Sequence, residues 1–116
     1  MALVNALAVG VGGAVGAVSR YAVGIVVERR GLDTFLVNVA GSFVFGLVFG
    51  LGPEGTAAIA VVVGFCGAFT TFSSFAVETV RLAEEGKSVA AVINAGGTLA
   101  AALVAALAGR FVGGMI

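Results

Sequence analysis

The chain has no histidine, one cysteine and one proline in 116 residues, and only 10% of its residues are charged. With no histidine and with Cys66 alone, neither a disulfide nor a Cys/His metal site can be assembled within one chain. Six basic residues balance six acidic ones, so there is no basic face for nucleic acid. No base, nucleophile or metal constellation of an enzyme is visible either. A soluble domain of this size carries about a quarter charged residues. Here 60% of residues are hydrophobic and the mean hydropathy is +1.20. The composition is that of an integral membrane protein, in which Cys66 reads as a small buried hydrophobe.

Charge clusters and turn formers divide the sequence into four spans, each near the roughly 20 residues that cross a bilayer. The pattern predicts all-α transmembrane helices over about Leu3–Val27, Thr34–Leu51, Thr56–Leu82 and Ser88–Val112, forming a single domain. They are separated by Glu28-Arg29-Arg30-Gly31, Gly52-Pro53-Glu54-Gly55 and Glu84-Glu85-Gly86-Lys87. The first span lacks a basic leader and is too long for the core of a signal peptide, so it reads as a retained helix.

The third span stops behaving like ordinary membrane helix between Gly64 and Phe75. Two glycines, the hydroxyl residues Thr70, Thr71, Ser73 and Ser74, and four phenylalanines fall within a dozen residues. Such a segment has low helix propensity between two helical runs. The expectation is a helix broken at mid-membrane, whose freed backbone groups are satisfied by protein, water or an ion. A break of that kind marks a permeation or binding site.

The other spans carry small and polar stripes. Gly12, Gly16 and Gly24 suit close helix packing. The neighbouring Gly10–Gly16 run lacks the preceding strand that a dinucleotide-binding loop needs. Arg20 lies on the same stripe, and an intramembrane arginine costs about 3 kcal/mol unless paired or hydrated. It either snorkels to the nearby loop, or contacts helix carbonyls or attracts an anion at a vestibule. Thr34, Asn38, Ser42, Gly46 and Gly50 recur every four residues and share one inward face. Asn38 is then either an interhelical hydrogen bond or an amide donor to an anion. Asn94 and Thr98, followed by Ala102 and Ala106, repeat the pattern more weakly. Glu78, one turn past the break, caps a polar path or sits at the interface. Phe72 and Phe75, three apart on helical backbone, point to the same side, and the positive edge of an aromatic ring suits an anion.

Three segments carry a family resemblance: Gly67-Ala-Phe-Thr70-Thr71-Phe72-Ser73-Ser74-Phe75, Gly13-Ala-Val-Gly16-Ala-Val-Ser-Arg20-Tyr21 and Val37-Asn38-Val-Ala-Gly41-Ser-Phe-Val-Phe-Gly46. Together they resemble the Fluc/CrcB fluoride channels over nearly the whole chain and in the right order. Ala68 and Ser74 stand where that family often has Gly and Thr. The resemblance implies a fluoride-selective channel in the cell inner (plasma) membrane that exports the ion passively and relieves its toxicity. It also implies an antiparallel, dual-topology homodimer with two pores and a central structural sodium ion. By the same resemblance, the backbone carbonyls of Gly67 and Thr70 match the sodium ligands. Phe72, Phe75, Ser74 and Asn38 match the fluoride pore, Arg20 the vestibule, and Asn94 and Thr98 a polar track; Glu78 falls on an acid of the motif.

One feature pulls the other way. Arg29, Arg30, Arg81 and Lys87 fall on one side of the membrane and only Arg110 falls near the other. The positive-inside rule then favours a single orientation, with both termini outside, which leaves open a paralogous partner chain of opposite bias. Two other classes compete. A small multidrug-type antiparallel transporter needs a carboxylate within the first span, and only Glu28, at its end, is offered. A purely structural membrane protein explains the small-residue stripes but not the hydroxyl and aromatic cluster.

Overall fold

The computed structural model describes residues 2–29 and 31–116; Arg30, one of the basic residues expected on the first-loop side, lies outside the described residues. Among the described residues, four stretches are long and apolar enough to cross a membrane: Ala2–Val26, Leu32–Leu51, Thr56–Glu84 and Ser88–Met115. The protein is all-helical among the described residues. Its long axis of 50 Å matches a bilayer with its headgroup layers. The first, second and fourth stretches are single α-helices, named here α1, α2 and α6. The third is composite. It begins with α3 (Thr56–Ile59), winds as a π-helix over Ala60–Cys66, and continues as α4 (Gly67–Phe69). Thr70 and Thr71 are extended, and α5 (Phe72–Glu84) follows.

The helix ends depart from the sequence expectation by up to three residues. α2 starts at Leu32 rather than Thr34, since Gly31 at φ 86° supplies a left-handed turn directly before it. α6 runs on to Met115 against the weak helix propensity of Gly113 and Gly114, because Gly113 is buried in backbone contact with α2 at Leu47 and Leu51.

Two seams carry most of the packing. α2 lies along α6, and α1 lies along the π-helical segment. Each seam is built on glycine. A methyl group at Gly46 would strike the backbone carbonyl of Ala106, and one at Gly109 the carbonyl of Phe43. On the other seam, a methyl group at Gly64 would sit 2.6 Å from the Val9 carbonyl oxygen and 3.0 Å from the Gly13 nitrogen. Gly12 and Gly16 face the same segment through Ala60 and Phe65. In lipid there is little hydrophobic drive between helices, so backbone-to-backbone approach supplies the attraction.

Substitution Gly46→Ala is therefore expected to force α2 and α6 apart, at about 1–3 kcal/mol. Thermal unfolding in detergent reads this as a lowered midpoint. Gly10→Ala, with nothing within 4 Å of the new methyl, does not lower the midpoint, since alanine is the better helix former. Equal midpoints for Gly46→Ala and wild type would show that the seam has slack.

Candidate functional site

Thr70 and Thr71 leave the helix with ψ angles of 161° and 118°, and specific side chains take over the backbone bonds that the helix gives up. Asn38 is the central one. Its Oδ1 accepts from the Thr71 N–H at 2.7 Å, and its Nδ2 donates to the Thr71 carbonyl at 3.0 Å. One carboxamide thus serves Thr71 as a neighbouring strand would, which meets the demand that buried backbone groups be paired. The Thr70 hydroxyl donates to the Cys66 carbonyl at 2.8 Å. The Thr71 hydroxyl accepts from the Ser74 N–H at 3.1 Å, capping α5. Gly41 is the small residue that admits Thr70 against α2; a methyl group there would meet Thr70 Cγ2.

Of the two readings of Asn38, the interhelical bond is present, and it leaves one amide hydrogen unused, since a carboxamide nitrogen has two. Asn38 also lines a cavity of about 290 Å³ with Thr71, Phe72, Phe75 and Thr98. The Phe72 and Phe75 rings lie 6.0 Å apart and inclined by 49°, so they are tilted against each other and not stacked. Thr98 is buried to 7% exposure. Among the described residues no protein group bonds its hydroxyl, although a helical threonine ordinarily turns back to its own helix. Ser42 borders the same cavity and donates to the Asn38 carbonyl at 2.7 Å.

The other residues singled out in the sequence lie elsewhere. Ser74 and Arg20 do not line the aromatic cavity; the Arg20 guanidinium donates to the Ser74 hydroxyl at 2.8 Å on the side of α5 facing α1. Asn94 donates to the Thr79 hydroxyl at 2.9 Å and borders a separate cavity with Glu78, Arg81 and Glu85. The Thr34 hydroxyl donates to Glu78 at 2.7 Å. Gly67 and Thr70 border a groove with Gly41, Cys66 and Leu99, and it shares Ser42, Thr70 and Leu99 with the aromatic cavity. Among the described residues, no side chain donates to the carbonyl oxygens of Gly67 or Thr70, and no backbone N–H donates to that of Thr70. Backbone carbonyls are hard oxygen donors suited to a hard cation.

Sequence reasoning missed the pair of hydrogen bonds between Asn38 and Thr71 and the capping role of Thr71. The second was within reach, because a threonine three residues ahead of Ser74 after a stretch of weak helix formers is a start signal.

Comparison with known proteins places these residues in context. A profile of the family described as CrcB-like protein, Camphor Resistance (CrcB), matches residues 7–110. The chain is 66% identical over 113 residues, 97% of each chain, to a protein of Natronomonas pharaonis named fluoride-specific ion channel FluC 2. It is 51% identical to a protein of the same name from Haloarcula marismortui, covering 90% of this chain and 89% of the other. A fluoride-specific ion channel FluC of Acidobacterium capsulatum is 40% identical, over 93% of this chain and 94% of its own.

Proposed function

Because the chain belongs to the CrcB-like family, whose members compared above are named ion channels and not enzymes, we propose that it is a fluoride-selective channel of the plasma membrane that lets the ion leave the cell passively. The observation that carries this reading is the cavity beside Thr71. It joins two phenylalanine rings, the unpartnered Thr98 hydroxyl and the spare hydrogen of Asn38 in one space.

Fluoride is small and strongly hydrated, so a path through hydrocarbon has to replace its water. Burying an isolated anion without compensation costs tens of kcal/mol. In this reading, the ring edges of Phe72 and Phe75 present partial positive charge, while Thr98 and Asn38 present hydrogen-bond donors. None of these donors carries a full charge, so the ion is held loosely enough to leave. The interruption at Thr70–Thr71 is the 15th and 16th residue of the 29 in Thr56–Glu84, which supports a break near the middle of the bilayer in this reading.

The working unit is proposed as an antiparallel homodimer with two pores, and the carbonyls of Gly67 and Thr70 are the groups that would hold a central structural sodium ion. They fit it by donor chemistry, since backbone carbonyls are hard oxygen ligands and that of Thr70 stands where the helix ends. A bound cation supplies positive charge that offsets the repulsion an anion meets in a buried site.

The protein expressed alone, purified and placed in liposomes is expected to release fluoride rapidly and chloride not at all, followed with two ion-selective electrodes. Release of neither ion by the single chain, with release restored by a co-expressed relative, would replace the homodimer by a paralogous pair. Equal release of both ions would end the fluoride reading.

A further inference from the structure

α5 is thirteen residues long, packs chiefly on α6 and hardly approaches the backbone of α1. Its rotation about its own axis decides where Phe72 and Phe75 point. Three residue pairs hold it and its N-cap from α2 and α6: Asn38 with Thr71 through two bonds, Thr34 with Glu78, and Asn94 with Thr79. Among the described residues, one side-chain bond reaches α5 from α1, and it is Arg20 to Ser74 at 2.8 Å. At about 100° per residue, Ser74 stands roughly 160° around α5 from Phe72 and roughly 100° from Phe75. The Arg20 bond is a further anchor on the face that also carries Glu78, one turn on, and it is the one that ties this face of α5 to α1.

We propose that Arg20 is a positioning residue: it acts through the Ser74 hydroxyl to fix the rotation of α5, and so aims Phe72 and Phe75, rather than drawing in anions by its charge. The proposal rests on the fluoride-channel reading. Two further observations favour it. Arg20 and Ser74 are absent from the walls of the aromatic cavity. The cavity that Arg20 does line, about 440 Å³, also holds the carboxylate of Asp33, so the positive charge there is opposed by a negative one. The bond itself is charge-assisted and partly buried, the class worth most per hydrogen bond.

Liposome efflux of fluoride and chloride tests this with Arg20→Met, Ser74→Ala, the double variant and Ser74→Thr, each purified and checked for assembly by gel filtration. Arg20→Met and Ser74→Ala are each expected to reduce the fluoride-to-chloride ratio by about tenfold, the effect of one charge-assisted hydrogen bond. The double variant loses no more than either single one, Ser74→Thr restores the ratio, and added inert salt leaves the losses unchanged. The proposal is overturned if Ser74→Ala keeps the wild-type ratio, or if the losses add in the double variant. It also falls if the Arg20→Met defect fades at high ionic strength, as a screened attraction does. Should Arg20→Met fail to assemble, Ser74→Ala and Ser74→Thr decide the matter alone. Wild-type liposomes in the same run separate this outcome from failure of the channel reading, which would silence every variant and the wild type together.

Discussion

Phe72→Ile is expected to cut fluoride efflux by about thirtyfold or more while the protein stays folded and assembled. The reasoning runs from exposure to electrostatics. Phe72 is 79% exposed in the single chain, so its ring contributes little to the packing of the protomer, and isoleucine keeps the position apolar. What isoleucine lacks is the quadrupole. A desolvated cation over an aromatic face gains about 2 kcal/mol from the ring quadrupole; if an anion at the positive edge gains a similar amount, its loss slows a rate by roughly thirtyfold. Phe75, 6.0 Å away, still offers its own edge, which is why some residual flux is expected. The measurement is electrode-recorded efflux at matched protein density, beside gel filtration of the same sample. Unchanged flux from a correctly assembled variant would remove Phe72 from the path.

The Phe72 and Phe75 pair was legible in the sequence because helical spacing alone puts residues three apart on one side. The stripe of α2 was legible for the same reason, and Gly46 and Gly50 do meet α6 as backbone. Ser74 shows where motif reading and face reading diverge. It belongs to the same motif as the phenylalanines, yet the angle per residue turns it toward α1. The pairing of Asn38 with Thr71 could not be read, since it depends on how α2 is seated against an extended step 33 residues away. The π-helical winding of Ala60–Cys66 was hidden too. Its apolar side chains are neutral between one helical pitch and another, and the choice comes with docking onto the glycines of α1.

Asn38→Asp is expected to abolish fluoride flux, and the way it does so separates the two roles of this side chain. The substitution changes one NH₂ into an oxygen and adds a charge. Oδ1 still accepts from the Thr71 N–H, but the donor to the Thr71 carbonyl is gone, and an acceptor left unpaired in the interior costs about 1–3 kcal/mol. The carboxylate also stands in the wall of the aromatic cavity. Against an anion about 4 Å away at an effective dielectric of 20, its repulsion is about 4 kcal/mol, or roughly a thousandfold in rate. Asn38→Ala serves as the contrast, because it removes both bonds to Thr71 without adding charge. If Asn38 is only a clamp set back from the ion, Asn38→Ala, which loses both bonds to Thr71, lowers the thermal midpoint in detergent and the flux at least as much as Asn38→Asp, which keeps one. If the side chain borders the path of the ion, Asn38→Asp loses far more flux than Asn38→Ala, because only aspartate puts a negative charge there. The second pattern is the one expected, since Asn38 lines the aromatic cavity. Flux at the wild-type level in Asn38→Asp would place the permeation path away from Asn38 altogether.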